Sequence, residues 1–457
     1  MAQTLGEKVG DTVGIRTRLD TRISARTRIE VVTEGVFTRA ILDDPSLDGI
    51  SAVLFDEFHE RSLDADFGLA LALDAQRGLR DDLRLLVMSA TLDDQRIAGH
   101  LGDAPLIRSD GRAYPVETRY LGRGDGAPIV DRMTQAILTA RGAETGSILA
   151  FLPGQGEILR VAERLRERLG QHEKIDVCPL YGALDARAQD QAISPAEPGR
   201  RKIVLATSVA ETSITIEGVR VVVDCGQARI PRYEPGANVT RLETVRVSRA
   251  AADQRRGRAG RTEPGVCYRL WDEPETQALK AFADPEIMAA DLSGLALDCI
   301  AWGVSDPAAL PFLDPPPKAS WQAAIAMLEN LGAVRDNRLT DLGQRLRRLP
   351  LPAPIARMIL DAGSIDNAHR AVEIAGVLVE RGLGGNDTDI KSRVERFRRE
   401  SGNRKDQMQR QMWNWIKLAG KLDEAPSGPR STGELLALAF PDRIGKARGA
   451  PGHFVLA

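Results

Sequence analysis

Residues 53–61 read V-L-F-D-E-F-H-E-R, and the fold follows from this stretch. Its apolar run stops abruptly at Asp56 and Glu57, which predicts a buried parallel strand that delivers two carboxylates to the carboxyl edge of a sheet. Open α/β sheets bind their ligands at that edge. An aspartate there can hold Mg²⁺, and a neighbouring glutamate can deprotonate an attacking water. A solvated acidic turn is the simpler explanation of a bare Asp-Glu pair, but His59, Arg61 and the motifs farther along the chain favour a ligand site.

Composition limits the class of protein. The chain has 457 residues, 43% of them apolar and 28% charged, which is enough for roughly three or four domains. The formal net charge is only −2, so a surface that attracts nucleic acid must be local. The four cysteines are far apart and form no C-x-x-C pair, which argues against a zinc site or disulfide framework and fits a reducing cytosol. We therefore expect a cytoplasmic protein without a membrane partner, because no apolar run reaches membrane-spanning length. We also expect a monomer.

The first part of the chain alternates strands and helices. Residues 29–32 resemble a strand that runs into T-E-G at 33–35, and a helix follows. Beyond the acidic strand, a second helix leads to a buried strand over 83–88 that ends in S-A-T at 89–91. Polar motifs at successive strand ends are typical of α/β domains. We assign residues 1–113 to the first such domain.

A second alternation begins at Ser147, after a segment at 113–121 whose Tyr-Pro pair indicates a linker. A hairpin is predicted over 229–246, and Ser248 is expected to cap a helix that carries Q-R-R-G-R-A-G-R at 254–261. The predicted strands lie at 148–152, 176–180, 202–206 and 219–223, within a second domain assigned to 114–283.

The α/β alternation stops near residue 284, and the pattern becomes helical. A helix over 321–331 and a strand-like pair after it indicate a small winged-helix module at 284–350. Four or five helices are predicted within 351–444. Residues 445–457 are basic and end in a strand-like F-V-L, which we interpret as the start of a further domain.

Six motifs in this order resemble those of the DEAH-box helicases of superfamily 2, most closely the bacterial HrpB-type branch. They are T-E-G, D-E-F-H, S-A-T, F-L-P-G, A-T-S-V-A-E-T-S-I-T and Q-R-R-G-R-A-G-R. The resemblance covers nearly the whole chain. It implies two tandem RecA-like domains of the P-loop NTPase type, the first one incomplete, followed by a winged-helix and a helical ratchet-like domain. Phe58 stands where the family name has alanine, which leaves the carboxylates and His59 in place and points to the HrpB branch.

The resemblance also implies an ATP-dependent RNA helicase that couples ATP hydrolysis to single-strand translocation and unwinding, with ATP and Mg²⁺ as cofactors. In such enzymes ATP lies between the two RecA-like domains. Asp56 is then expected to hold Mg²⁺ and Glu57 to activate water, while His59 passes the nucleotide state to the second domain. Ser89 and Thr91 are expected to couple ATP to domain closure.

On the other side of the ATP site, the resemblance assigns Gln254 to orient the γ-phosphate or the water. Arg258 and Arg261 are expected to be arginine fingers, because a guanidinium matches phosphate oxygens bidentately. A run of arginines is more often a solvated helix face. The interleaved glycines favour the functional interpretation, since they permit close approach of a phosphate.

RNA is the expected partner, bound as a sequence-tolerant single strand; a DNA substrate stays open. The expected contacts are backbone groups and hydroxyls at strand ends, which grip phosphates without reading bases, together with a hairpin that resembles the family's strand-separating hairpin. These residues are Thr33, Gly35, Gly154, Tyr181, Gly182, Thr207, Arg229 and Arg232. Ordinary turns and a plain surface hairpin are the alternatives. The basic stretch 391–410, with Trp413 and Trp415, either lines a single-strand channel or is a solvated helix with tryptophans in the core.

No G-x-x-x-x-G-K-[ST] occurs in the 457 residues. In the family this P-loop, which cradles the β- and γ-phosphates, lies upstream of where this chain starts. We therefore expect an internal portion of a longer helicase, truncated at both ends. Two functions stay open: an ATP-dependent RNA helicase, and a catalytically inactive nucleic-acid-binding fragment.

Overall fold

In the computed structural model, strands and helices alternate as far as Arg269, and helices predominate beyond it. The chain divides into two units: unit 1 contains residues 1–55, 61–87 and 291–457, and unit 2 contains 56–60 and 88–290. Neither is continuous in sequence, and the linear domain boundaries given above stay a prediction. The structure describes residues 1–17, 20–90, 94–109, 114–124, 126–170, 173–182, 184, 186–211, 216–234, 239–380, 382–385, 387–420, 422, 428–449 and 454–456.

The N-terminal part of unit 1 consists of β1 (Val13–Arg16), β2 (Thr21–Arg22), β3 (Ile29–Val32), α1 (Glu34–Asp43), β4 (Ala52–Phe55), α2 (Leu63–Gly78) and β5 (Arg84–Val87). Strand β1 pairs parallel with β3 and antiparallel with β2, and β4 pairs parallel with β5. Helix α2 begins where the Ser62 side chain accepts a hydrogen bond from the N–H of Ala65 at 3.0 Å.

Strand β4 is parallel, as predicted, but the prediction that it is buried was wrong for one of its faces. Val53 and Phe55 are buried, and the Phe55 ring meets Phe37 of α1 edge to face at 5.5 Å. On the other face Leu54 and Leu86 are 57% and 48% exposed. The buried face is the one that meets α1 through Phe37, so burial alternates along the strand.

Unit 2 contains α3 (Asp94–His100), β6 (Val116–Tyr120), α4 (Ile129–Ala143), β7 (Ser147–Phe151), α5 (Gln155–Arg168), β8 (Ile175–Leu180), α6 (Ala186–Ile193), β9 (Arg201–Ala206), β10 (Val219–Asp224), β11 (Gln227–Glu234), β12 (Val239–Arg246), α7 (Arg249–Gly257), β13 (Gly265–Arg269) and α8 (Glu273–Ala278). Six strands form a parallel sheet in the order β6-β13-β10-β7-β9-β8. The linker expected at 113–121 is instead the edge strand β6, and Pro115 precedes it, where a missing N–H costs no ladder hydrogen bond.

The central strands β7, β9 and β10 of this sheet are buried along almost their whole length, and hydrophobic clusters cover both faces, as expected for a parallel sheet. Their carboxyl ends are level: Asp224 is opposite Phe151, Phe151 opposite Ala206, and Ala206 opposite Leu180. The turns after β7, β8, β9 and β10 therefore lie along one edge of the sheet.

The C-terminal part of unit 1 consists of α9 (Ser293–Ala301), α10 (Lys318–Asn330), β14 (Val334–Arg335), β15 (Arg338–Leu339), α11 (Asp341–Arg348), α12 (Ala353–Leu360), α13 (Ile365–Val379), α14 (Ile390–Arg399), α15 (Asn403–Ala419), α16 (Thr432–Ala439), β16 (Gly445–Ala447) and β17 (Phe454–Leu456). The hairpin β14-β15 lies between α10 and α11, where the winged-helix module was predicted. Within the described residues, no helix is both long and apolar enough to span a membrane.

Specific contacts join the two parts of unit 1. The Arg61 guanidinium binds Asp66 of α2 at 2.8 and 3.0 Å and also Asp314 at 2.6 Å. The Trp302 indole donates to Asp74 of α2 at 2.8 Å. These polar contacts explain why segments far apart in sequence form one unit.

Candidate active site

The loop at residues 56–60 is fixed by a buried phenylalanine. Phe58 is 1% exposed, and its N–H donates to the carbonyl oxygen of Met88 at 3.0 Å. Glu57 has a left-handed backbone with φ of 50°, a conformation that costs a non-glycine residue roughly 1–2 kcal/mol. The anchoring of Phe58 holds Glu57 and His59, on either side of it, in defined positions.

His59 connects two other predicted site residues, Glu57 and Gln254. Its side chain is 4% exposed, and Nδ1 lies 3.4 Å from Oε2 of Glu57. The N–H of Ala90 donates to Nδ1 at 3.4 Å, and Nε2 lies 2.7 Å from the side-chain amide of Gln254 in α7. The atom of Gln254 at this distance is the amide nitrogen, which can donate a hydrogen bond to an unprotonated Nε2. The structure therefore brings Glu57, His59 and Gln254 together within unit 2.

Helix α7 positions the arginine motif. The Ser248 side chain accepts from the N–H of Ala251 at 3.1 Å, which is the predicted cap. Arg258 is buried, and its Nε donates to the backbone carbonyl of Glu211 at 2.6 Å. Burial, and secondly the charge of Arg261, lower the pKa of Arg258 to about 10, while the charge of Glu57 opposes this shift. Arg258 is thus no solvated cation, whereas Arg261 is exposed.

The sequence did not reveal the buried ion triad beneath this motif, formed by Arg255, Glu211 and Asp224. The fully buried Arg255 donates to Oε1 of Glu211 and to Oδ1 of Asp224, each at 2.7 Å, and stacks 4.9 Å above the Phe151 ring. Burial alone would lower the pKa of Arg255, but the two carboxylates raise it. Burial raises the pKa of Glu211, although Arg255 counteracts the shift. The triad fixes the turn whose carbonyl holds Arg258.

The chemistry of Asp56 fits Mg²⁺. Its carboxylate is exposed, and Oδ1 accepts the N–H of Glu57 at 2.9 Å. In the described part of the chain, no group of three or more His, Cys, Asp or Glu side chains could hold a metal ion. Mg²⁺ needs no such cage, since it is usually bound by one or two carboxylates together with waters and phosphate oxygens.

The second loop of the expected ATP site is described in part. Ser89 follows β5 and precedes Ala90, whose N–H contacts His59. Thr91 lies outside the described residues. The roles assigned to both residues stay predictions.

The turn residues of unit 2 that were predicted to contact nucleic acid share one edge of its six-stranded sheet. Gly154 follows β7, Tyr181 and Gly182 follow β8, and Thr207 follows β9. Thr33 and Gly35 belong to unit 1, where both are exposed at the start of α1. Four of the six turn residues are therefore brought together within one unit.

The hairpin arginines are bound to carboxylates. Arg229 packs against Gly154, where any β-carbon would clash with its guanidinium, and Nη2 of Arg229 donates to Glu157 at 3.1 Å. Arg232 pairs with Glu243 across the hairpin at 2.9 Å. A phosphate that binds either arginine must therefore compete with a carboxylate, and this pairing was not predicted from the sequence.

Comparisons with known proteins agree with this geometry. Residues 130–263 match the model of the helicase conserved C-terminal domain. The chain is 45% identical over 461 residues to the ATP-dependent RNA helicase HrpB of Escherichia coli (strain K12), covering 100% of this chain and 55% of the relative. It is 35% identical over 381 residues to the probable ATP-dependent RNA helicase DHX34 of Homo sapiens, covering 81% of this chain and 33% of the relative.

Solved structures show the same fold. The crystal structure of Escherichia coli DEAH/RHA helicase HrpB matches 100% of this chain with a TM-score of 0.86 at 44% identity, and the match covers 57% of that structure. The predicted α/β fold with RecA-like domains is thereby confirmed. The chain spans about half the length of HrpB, and about a third of DHX34.

Proposed function

Because the chain belongs to the DEAH-box helicases of the HrpB type, we propose that it provides the catalytic core of an ATP-dependent RNA helicase, which couples ATP hydrolysis to single-strand translocation and unwinding. The observation that carries this proposal is the 2.7 Å contact between His59 and Gln254, which joins the D-E-F-H motif to the arginine motif. An inactive nucleic-acid-binding chain is less favoured, because the matched relatives are named as helicases.

Each residue of the site has a defined part in the proposed hydrolysis. Asp56 holds Mg²⁺, which supplies positive charge to the phosphate oxygens when it is bound. Glu57 accepts the proton of the attacking water, and its position is fixed by the anchored loop. His59 transmits the occupancy of the site to Gln254 in α7 through their hydrogen bond. Arg258 and Arg261 stabilise negative charge on the transferred phosphoryl group, as arginine fingers do.

The proposed RNA contacts follow the carboxyl edge of the sheet in unit 2. Backbone N–H groups and hydroxyls at Gly154, Tyr181, Gly182 and Thr207 contact phosphates, so binding is tolerant of base sequence. The names of the relatives support RNA as the substrate, and the same backbone contacts accept DNA. We further propose that the protein acts as a monomer in the cytoplasm.

The test uses the chain preceded by the P-loop segment of its family, with RNA-stimulated phosphate release as the readout. Glu57→Gln should lower turnover by roughly 10²–10⁴-fold, as loss of a general base does. Arg258→Ala should lower it by roughly 10³–10⁵-fold. RNA binding, measured in parallel, should be retained in both variants because neither residue lies at the turns of the sheet edge.

The matched control is Arg256→Ala. This arginine is the neighbour of Arg255 in α7, its side chain is 43% exposed, and its nearest carboxylate, on Asp253, is 3.9 Å away. Turnover should stay close to that of the unsubstituted protein. Equal losses in Arg256→Ala and Arg258→Ala, or near-normal turnover in Glu57→Gln, would refute the assignment of these residues to the ATP site.

A further inference from the structure

Most of the positive charge at residues 391–410 is bound within the fold. Arg393 donates to the carbonyl of Val377 at 2.6 Å. Three further arginines pair with carboxylates, Arg396 with Asp387, Arg398 with Glu373, and Arg404 with Glu380. Lys405 donates to the carbonyl oxygens of Arg398 and Glu400. This part of the basic stretch therefore stabilises the helical region and presents little charge to a ligand.

A different surface of the same region presents its charge outward. Arg410, Trp413, Asn414 and Lys417 are exposed on α15 at spacings i, i+3, i+4 and i+7, which places them on one helix face. We call these four residues the α15 stripe. Among the described residues, neither Arg410 nor Lys417 has a carboxylate within ion-pair distance. Trp413 is 67% exposed, which is unusual for the residue type.

The α15 stripe is held rigidly from behind. Met408, Met412 and Trp415 on the opposite face are buried. Helix α13 approaches so closely at Gly376 that a β-carbon there would clash with Met412. The His369 ring of α13 meets the Trp413 ring edge to face at 5.5 Å, and a shallow depression of about 440 Å³ is lined by Trp413, Asn414, Ile416 and Lys417. The indole is thus fixed in place while most of its surface stays open.

We propose that the α15 stripe binds single-stranded nucleic acid, with one base stacked on Trp413 and the flanking phosphates on Arg410 and Lys417. An aromatic ring between cations is the arrangement by which proteins bind single strands without sequence preference. The two cations are about 10 Å apart along the helix, with the indole between them. A protein partner is less favoured, because cations occupy both ends of the stripe. The inference rests on the proposed function and adds a second binding surface, in unit 1.

The experiment titrates the 457-residue chain with a single-stranded oligouridylate and follows both fluorescence anisotropy of the labelled strand and tryptophan emission. Of the five tryptophans, Trp413 is the exposed one, so its contribution is the difference between the unsubstituted chain and Trp413→Phe. Base stacking should quench that contribution. Trp413→Ala should weaken binding between about 5-fold and about 100-fold, Trp413→Phe should keep most of the affinity, and Lys417→Ala should flatten the log–log salt slope by about 0.7.

Phe282→Ala is the matched control, since Phe282 is an exposed aromatic residue of unit 2, at 42%. Circular dichroism verifies that each variant folds. If the unsubstituted chain fails to bind at low salt, the proposed RNA contacts and the α15 stripe are both refuted. If it binds, but Trp413→Ala behaves like Phe282→Ala and the Trp413 emission is unchanged, the inference is wrong and the RNA-binding proposal stands.

Discussion

Replacing Arg255 by methionine removes the cation from the buried ion triad with little change in volume. Glu211 and Asp224, each 2.7 Å from the guanidinium, are then left as buried carboxylates without it. Removal of one partner from a buried ion pair typically costs about 3–5 kcal/mol. For a unit of about 200 residues this corresponds to a fall in melting temperature of roughly 6–20 °C.

The pH dependence of this loss has a definite sign. Burial already raises the pKa of Glu211 despite the opposing charge of Arg255, so loss of Arg255 should raise it further. A carboxyl group whose pKa is higher in the folded state contributes stability below its unfolded pKa and loses that contribution as the pH rises through the folded value. The deficit of Arg255→Met should therefore be greatest at neutral pH and should shrink as the pH falls toward about 4.

Thermal denaturation gives the overall effect, and thiol labelling locates it. Cys225 and Cys267 lie in unit 2, and burial raises the pKa of each thiol to about 12, so both should react slowly until the unit opens. Arg255→Met should accelerate their labelling. Arg256→Met, at a half-exposed position of the same helix, is the control. Equal melting temperatures for the two variants, or a deficit that does not change with pH, would show that the triad does not stabilise unit 2 in this way.

Three further predictions concern single features. Gly265→Ala should destabilise the chain by about 1–3 kcal/mol, because a β-carbon would clash with the carbonyls of Ala259 and Arg220. Gly257 lies in open space, so Gly257→Ala should stabilise the chain by about 0.5–1 kcal/mol. Urea denaturation measures both changes. Hydrogen bonds from Arg123, then the Asp272 N–H and Arg246, lower the pKa of Glu275 to about 2, so the loss of stability in Glu275→Gln should be constant above about pH 4.5 and should fade as the pH falls toward 2. Single-strand affinity should fall with salt at a log–log slope of about −0.7 per phosphate contacted, and strong dependence on base sequence in an anisotropy assay would contradict backbone recognition.

The alternation of strands and helices was predictable because buried parallel strands are apolar along their whole length. The β7 strand is the clearest case, with all five of its residues buried. The exposure of one face of β4 was not predicted, because its four apolar residues are compatible with a strand buried on one face or on both. Burial of a strand depends on which helices pack against it, and periodicity does not reveal that.

The site residues that belong to sequence motifs could be predicted. The buried ion triad could not, because its charged residues lie far apart in the sequence. Arg255 and Arg256 are indistinguishable in sequence, but the first is fully buried and the second is half-exposed. Their difference depends on Glu211, 44 positions away. Similarly, Trp413 and Trp415 lie two residues apart, and the phase of α15 places one on the surface and the other in the core.

The level ends of β7, β9 and β8 give the predicted phosphate contacts a fixed pitch. Neighbouring strands in a sheet lie about 4.8 Å apart because backbone hydrogen bonds set the distance. The turns that carry Gly154, Thr207 and Tyr181 are therefore evenly spaced, and the main chain alone sets their spacing. Substitution of a turn residue can remove one phosphate contact, but it leaves the distance between the other turns unchanged.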